Sequence, residues 1–139
     1  MITTMKTLST TKELKQVIAD YVSRPINKPI FIFGDSWTDG RNETVVSSIE
    51  GNCYNVPAHK QIKDVSLSDD NDNIKYYLWD NPMFDEPYEG ALYKLNFCIE
   101  VATKLHKPVF CLIHNGSSAG LLESVYSDYD CYQFTSQKK

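Results

Sequence analysis

Two glycine-bearing polar segments carry the residues of this sequence that are best suited to chemistry. Residues 34–40 read Gly-Asp-Ser-Trp-Thr-Asp-Gly and residues 114–120 read His-Asn-Gly-Ser-Ser-Ala-Gly. Glycines and small hydroxyl residues let backbone N–H groups turn toward an anion, and a helix beginning at Gly120 would add the positive end of its dipole. Ordinary turns use the same residue types, so either segment alone is compatible with a structural role. Together they predict an anion-binding crevice.

Both segments follow short apolar runs that the sequence predicts to be strands. Residues 29–34 (PIFIFG) and 109–113 (VFCLI) are apolar throughout, as is typical of strands buried on both faces of a sheet. In open α/β sheets, ligands bind in the crevice beyond the carboxyl ends of the strands. We therefore expect the two segments to converge at one edge of a shared sheet.

Helices and strands alternate along the rest of the chain, which predicts an α/β fold. A helix is predicted from Thr11 to Ser23, because its apolar residues form one stripe and Thr10 with Glu13 fits a capping box. The unit over 74–113 resembles a strand–helix–strand crossover, for which a right-handed parallel connection is the default. The other predicted elements are a loop at 35–44, strands at 52–57, 73–79 and 128–134, an acidic surface loop at 66–73, and helices at 88–106 and 121–126.

Length and charge exclude several classes of protein. The 139 residues, 42% of them hydrophobic, predict a single domain over 1–139 with loose ends at 1–10 and 135–139. A net charge of -4 argues against nucleic-acid binding. No apolar run is long enough to span a membrane, and the first residues do not form a signal peptide. We therefore expect a cytoplasmic protein with no membrane partner.

The sequence predicts no metal site and no resident cofactor. Its four cysteines form no CxxC pair and match no zinc-site spacing, so we expect them to be reduced and mostly buried. His59 and His114 each follow a predicted strand, but no carboxylate is placed beside them by spacing. Core packing is the default role for the abundant aromatic residues, although they could also form a stacking wall for a base or an interface patch: Trp37, Tyr54, Tyr76, Tyr77 and Trp79.

Ser36 offers an alternative, catalytic interpretation. The string FGDSWTDG over 33–40 resembles the first block of the GDSL esterase family, in which Ser36 would be the nucleophile. A serine nucleophile needs a base and an orienting carboxylate. The family supplies them as Asp-x-x-His near the C-terminus, whereas no histidine follows residue 120 here and no aspartate stands three residues before His114. We therefore keep the esterase as a secondary hypothesis and assign no catalytic residue.

A longer, ordered set of motifs resembles a group of small bacterial and phage proteins with a macro-domain-like fold, and a T4-like phage origin would suit the style of the sequence. Members of the group have a strand ending in Phe-Gly-Asp/Ser-Asn, a segment reading roughly Asn-x-Tyr/Phe-x-Ile-Pro-Thr-Lys, a long helix, and an apolar strand ending in a glycine loop. The matching stretches here are Phe33-Gly34-Asp35-Ser36, residues 51–60 (GNCYNVPAHK), the helix predicted at 88–106, and Val109 to Gly120. The resemblance covers about 90 residues in order.

The resemblance implies a three-layer α/β/α sandwich with a mixed central sheet. It also implies an ADP-ribose-like nucleotide as ligand, with the loop at 116–120 at the phosphates and Asp35 near the adenine or ribose end. The ligand-binding residues that it suggests are Gly34, Asp35, Ser36, Asn52, Asn115, Gly116, Ser117, Ser118, Ala119 and Gly120.

Three departures from the family pattern favour binding over catalysis and keep a protein–protein role open. Residues 41–46 (RNETVV) stand where relatives have a glycine-rich loop, Ser118 replaces a glycine, and Glu43 would repel an anion. The chain could thus be a non-catalytic or weakly catalytic nucleotide-binding module. Alternatively, it could be an interaction or inhibitor protein, acting on a host protein if phage-encoded, with a degenerate pocket.

Overall fold

The structure is a computed structural model that describes residues 6–34, 40–56, 67–81, 88–114 and 128–135. Side chains are described for these residues except at 81, 88–92 and 114. Within this part of the chain the protein is α/β, as predicted, with one six-stranded sheet in the order β1-β6-β2-β5-β4-β3. The strands are β1 (Lys6–Leu8), β2 (Ile30–Gly34), β3 (Asn52–Asn55), β4 (Ile74–Asn81), β5 (Val109–His114) and β6 (Asp130–Phe134).

All five pairings between the described strands are parallel, so the prediction of a mixed sheet is wrong for these strands. A parallel pair needs a connection of a dozen residues or more, and even the shortest gap between consecutive strands, from β5 to β6, spans residues 115–129. Each connection is therefore long enough to bring the chain back to the end of the sheet at which every strand begins. Residue patterns alone identified β2 to β6 but did not fix their directions.

In the described residues, three α-helices accompany the sheet: α1 (Thr11–Val22), α2 (Arg41–Ser48) and α3 (Tyr88–Glu100). A π-helical turn at Val101–Leu105 continues α3, and a short 3-10 helix lies at Leu67–Asp69. The predicted α1 is confirmed, and the Thr10 side chain caps it by accepting from the Glu13 backbone N–H. The reciprocal bond of the capping box is displaced by one residue, since the Glu13 carboxylate accepts from the Ser9 N–H at 2.6 Å. The predicted helix at 121–126 lies outside the described residues.

Two elements correct the sequence-based predictions. The predicted loop at 35–44 is wrong from Arg41 onward, because α2 begins at that residue. The buried residues of α2 are Arg41, Thr44 and Val45, which lie on one side of the helix. The predicted loose N-terminus is wrong for Lys6–Leu8, which pair with Tyr132–Phe134 of β6. Both elements depend on contacts made far along the chain, which local patterns do not reveal.

The helices lie on two sides of the sheet. Paired residues of parallel strands point to the same face, and alternate residues to opposite faces. Tyr21 of α1 contacts Phe110, with ring centroids 5.3 Å apart, and α1 and α2 contact each other. Phe97 of α3 instead contacts Tyr77, with centroids 5.9 Å apart. Because Tyr77 pairs with Val109, the neighbour of Phe110, α3 covers the opposite face from α1.

The buried residues of both faces form one hydrophobic cluster around the central strands. β2 is buried at every position, and β4 is buried at four consecutive positions, Tyr76 to Trp79, on both of its faces. All four cysteines are free thiols, with Cys98 and Cys111 buried and Cys53 and Cys131 partly buried. In the described part of the chain, no helix has the length and apolar character needed to cross a bilayer.

Candidate functional site

The strand order reverses between β2 and β5, at the centre of the sheet. From β2 the chain continues to β3, beyond β5 and β4, whereas from β5 it continues to β6, on the other side of β2. Connections of the same hand that run in opposite directions lie on opposite faces, and open parallel sheets usually bind their ligands in a crevice at such a point. We call the strand ends at Asn55, Asn81, His114, Gly34, Phe134 and Leu8 the carboxyl edge, and the strand starts at Asn52, Ile74, Val109, Ile30, Asp130 and Lys6 the amino edge.

The two predicted binding segments start side by side at this crevice. Gly34 pairs with His114 on β5 and with Phe134 on β6, so the backbones of the two segments leave neighbouring strands at the same level. The remaining predicted ligand residues of both segments lie outside the described residues: Asp35, Ser36, Asn115, Gly116, Ser117, Ser118, Ala119 and Gly120. The structure therefore brings the starts of the two segments together.

Asn52, which the family resemblance suggests as a ligand-binding residue, does not lie beside Gly34. It is the first residue of β3 and pairs with Ile74, the first residue of β4, at the amino edge. From Ile74 to Asn81 at the carboxyl edge, β4 extends roughly 23 Å at about 3.3 Å per residue. Because β3 is parallel to β4, the residue that it places toward the carboxyl edge is Asn55, which pairs with Leu78.

A buried arginine joins the two strands at the crevice. Arg41, the first residue of α2, is 2% exposed, and its Nη1 donates to the carbonyl oxygens of Ile32 at 2.7 Å and Ile113 at 3.1 Å. These two carbonyls belong to β2 and β5, near their carboxyl ends. A guanidinium can serve both acceptors because its donors have fixed directions. Arg41 thus holds together the two strand ends from which the predicted binding segments leave.

The start of α2 is fixed to the sheet by further polar contacts. Gly40 caps the helix in the left-handed conformation, with φ 95°, and its carbonyl oxygen accepts from the Thr44 hydroxyl at 2.7 Å. Asn42 Nδ2 donates to the Asp80 carboxylate on β4 at 2.8 Å. The first turn of α2 is therefore anchored to three strands, β2, β5 and β4, beside the carboxyl edge.

Sequence reasoning missed Arg41, Asn42 and Asp80. Residues 41–46 entered the prediction only as a departure from the family pattern, because just two of the eight α2 residues, Val45 and Val46, are strongly apolar. A usable signal was the spacing of Arg41, Thr44 and Val45, which places three large or branched side chains on one side of a helix.

Tyr76 on β4 and Cys53 on β3 are both held in their neutral forms. Burial raises the pKa of Tyr76 to about 12, and the neighbouring Cys53 thiol adds to the rise. Burial also raises the pKa of Cys53, although its hydrogen bond with Tyr76 partly offsets this. Since a thiolate is the reactive form of cysteine, Cys53 is not an activated nucleophile at neutral pH.

Among residues 6–34, 40–56, 67–81, 88–114 and 128–135, no group of three or more His, Cys, Asp or Glu side chains could hold a metal ion. No family model matches the chain, and neither a curated protein nor a solved structure matches it significantly.

Proposed function

We propose that the protein binds an ADP-ribose-like nucleotide in the crevice between the carboxyl ends of β2 and β5, without catalysing a reaction on it. The observation that carries this proposal is the reversal of strand order at Gly34 and His114, from which the two glycine-bearing segments leave. Crevices at such reversals are the usual ligand sites of open parallel sheets. Glycine and serine residues in both segments could supply the backbone and hydroxyl donors that phosphates require.

A macro-domain-like, three-layer α/β/α arrangement is part of the same proposal. The contacts of α1 and α2 with one face of the sheet, and of α3 with the other, support the three layers. In this arrangement residues 116–120 bind the phosphates, and Asp35 lies near the adenine or ribose. The all-parallel pairing of the described strands differs from the mixed sheet that the family resemblance implies, so the proposal depends on the crevice rather than on the family.

Calorimetric titration with ADP-ribose, ADP and adenosine tests this function. We expect heat with the first two, and the Ser117→Asp variant, which adds a negative charge beside the phosphates, should abolish it. Asn27→Asp is the matched control, because Asn27 is exposed near the amino edge and the same charge there should leave affinity unchanged. Absence of heat with every nucleotide would reject nucleotide binding and favour the interaction-protein alternative, to be pursued by capture of partners from a host lysate.

One observation favours ester hydrolysis by Ser36 as a second candidate. Gly34 pairs with His114, so a histidine follows the strand adjacent to the one that leads into Ser36 two residues later. Hydrolysis of a p-nitrophenyl ester should then fall to background in both Ser36→Ala and His114→Ala, while His106→Ala, a histidine that follows α3 near the amino edge, should keep full activity. Equal rates in all four proteins would exclude this candidate.

A further inference from the structure

A cavity of about 360 Å³ opens at the rim of the amino edge, across the sheet from the crevice between β2 and β5. Its walls come from the end of α1, from the connection to β2 over residues 23–29, and from the start of β6. The volume lies near the lower end of the range of about 300–1,000 Å³ that is typical of small-molecule pockets. This space, which we call the rim cavity, therefore has room for a small ligand.

Charged side chains of both signs line the rim cavity in equal number. Arg24 and Lys28 are positive, whereas Asp128 and Asp130 are negative. A ligand with only a negative charge would be repelled by the two carboxylates, and one with only a positive charge by the guanidinium and the ammonium. A small ligand that carries one charge of each sign is therefore the best electrostatic match.

The charged groups of the rim cavity do not saturate one another. Arg24 Nη2 lies 3.8 Å from the Asp20 carboxylate and 3.7 Å from the Asp130 carboxylate, and both distances are too long for a hydrogen bond. The Lys28 ammonium has three N–H donors, one of which donates to the Asp128 backbone carbonyl oxygen at 3.1 Å. Both cations thus keep donors for a ligand carboxylate, and the Asp130 carboxylate keeps acceptor sites for a ligand ammonium group.

The walls of the rim cavity are fixed by the fold itself. Pro25 and Pro29 restrict the backbone on both sides of Lys28. The carbonyl oxygen of Lys28 accepts from the buried Tyr21 hydroxyl at 2.8 Å, and that hydroxyl accepts from the Val109 N–H at 3.1 Å. A ligand would therefore enter a site that is already ordered, which lowers the entropic cost of binding.

We propose that the rim cavity binds a free α-amino acid in its zwitterionic form. The carboxylate of the amino acid accepts from the Arg24 guanidinium and the Lys28 ammonium, and its ammonium group donates to the carboxylates at the start of β6. The site is separate from the proposed nucleotide crevice, because β2 extends about 13 Å from Ile30 to Gly34 at about 3.3 Å per residue. The inference therefore does not depend on the proposed function.

Calorimetric titration with L-alanine, L-leucine, L-phenylalanine and L-glutamine tests the class of ligand. These probes share the zwitterionic group and differ in side chain, and we expect heat with at least one of them. The N-acetyl derivative of that amino acid lacks the ammonium group and its amide lacks the carboxylate, so each should bind at least about 10-fold more weakly. Absence of heat with all four amino acids would overturn the proposal, as would derivatives that bind as tightly as the free amino acid.

Two aspartates at nearly equal distances from Arg24 provide a matched pair of variants. Asp130 lines the rim cavity, whereas Asp20 lies outside it, and both side chains are more than half exposed, so both variants should fold. Asp130→Asn should weaken binding of the amino acid at least about 10-fold, and Asp20→Asn should leave it unchanged. Equal weakening in the two variants would show that the carboxylates act only through Arg24, and would overturn the assigned ammonium site.

A second pair of variants separates the rim cavity from the nucleotide function. Arg24→Ala should lose binding of the amino acid and keep binding of ADP-ribose, whereas Ser117→Asp should do the reverse. Amino-acid binding without any ADP-ribose binding would support the rim cavity and reject the nucleotide proposal. Competition between the two ligands, or amino-acid binding that Arg24→Ala leaves unchanged, would overturn the rim cavity as the site.

Discussion

The two edges of the sheet differ in what their polar groups bind. At the amino edge, the polar side chains are paired with one another and with strand backbones, and they join segments that are distant in sequence. At the carboxyl edge, a buried arginine joins the strand ends, and the indole N–H of Trp79, two residues before the end of β4, has no hydrogen-bond partner among the described residues. Polar groups that complete each other stabilise the fold, whereas groups left incomplete are more typical of a ligand site.

Asp70 shows how completely the amino edge is paired. Its carboxylate accepts from the Lys107 ammonium at 2.8 and 3.0 Å and from the Tyr77 hydroxyl at 2.6 Å. The Lys107 ammonium also donates to the Asn71 carbonyl oxygen at 2.9 Å. These bonds connect the acidic loop, β4 and the start of β5. The loop was predicted as a solvated surface feature, and its role as an anchor for two strands emerges only from the structure.

Tyr21 performs a similar function on the other face. Its hydroxyl accepts from the Val109 N–H at 3.1 Å and donates to the Lys28 carbonyl oxygen at 2.8 Å, so one side chain of α1 joins the starts of β2 and β5. Burial raises its pKa well above the ordinary value, and the backbone bond to Val109 offsets this only in part. The hydroxyl therefore stays protonated and acts as a fixed structural link.

Among the substitutions at the two edges, Arg41→Ala should cause the largest loss of stability. The substitution leaves the carbonyls of Ile32 and Ile113 without their charged donor, and we expect a loss of about 3 kcal/mol in the free energy of unfolding. Arg41→Met retains the apolar stem and should recover little, because the donors are what is lost. Urea denaturation followed by circular dichroism measures both. A loss below about 1 kcal/mol in Arg41→Ala would show that α2 does not hold the carboxyl edge together.

Asp70→Asn should have the next largest effect, about 1–2 kcal/mol at pH 7. Burial alone would raise the pKa of Asp70, but the hydrogen bonds from Lys107 and Tyr77 and the Lys107 charge lower it overall. A carboxylate with a lowered pKa in the folded state stabilises the fold above its unfolded pKa of about 4, and this stability is lost as the pH falls through the folded value.

Urea unfolding at pH 7, 5 and 3 tests the sign of this effect. The difference in the free energy of unfolding between wild type and Asp70→Asn should be largest at pH 7 and 5 and should shrink toward pH 3 and below. Asp69→Asn is the control, since Asp69 is the exposed neighbour of Asp70. A difference that is constant with pH would mean that the charge of Asp70 contributes nothing to the amino edge.

Two glycines, one near each edge of the sheet, allow the edges to be compared through smaller expected losses of stability. Gly40 before α2 and Gly51 before β3 both have positive φ, 95° and 108°. A Cβ built at Gly51 would lie 2.4 Å from Lys75 Cγ and 2.8 Å from Lys75 Cβ, whereas no described heavy atom lies within 4 Å of one built at Gly40. We expect Gly40→Ala to cost about 1 kcal/mol from backbone strain alone, and Gly51→Ala to cost more. Equal losses in thermal unfolding would show that Lys75 moves aside freely.

Local patterns predicted the elements whose stability is local. The stripe and cap of α1 predicted Thr11–Val22 to within a residue, and the apolar runs predicted β2 and β5 equally well. In contrast, α2 and β1 form because of distant partners: Arg41 binds carbonyls on two strands, and Lys6–Leu8 pair with the last strand. The eight residues of α2 and the three residues of β1 contain no local pattern that indicates these distant partners.

The features of the candidate site also divide into those that the sequence predicted and those that it did not. The sequence predicted that two glycine-bearing segments follow buried strands, and the backbone pairing of Gly34 with His114 places their starts together. The sequence did not indicate at which edge Asn52 lies, because a residue at the end of a strand can lie at either edge until the strand direction is known.

The smallest effect should come from Arg24→Ala at the rim of the amino edge. Arg24 lies 3.8 Å from the Asp20 carboxylate and 3.7 Å from that of Asp130, but its side chain is 49% exposed, so solvent screens both pairs. A cavity of about 360 Å³ is lined by two positive side chains, Arg24 and Lys28, and by two negative ones, Asp128 and Asp130, so these four charges balance. We expect a stability change within about 0.5 kcal/mol and no change in ADP-ribose affinity. Loss of ADP-ribose binding in Arg24→Ala would place the nucleotide site at the amino edge and reverse the assignment of roles to the two edges.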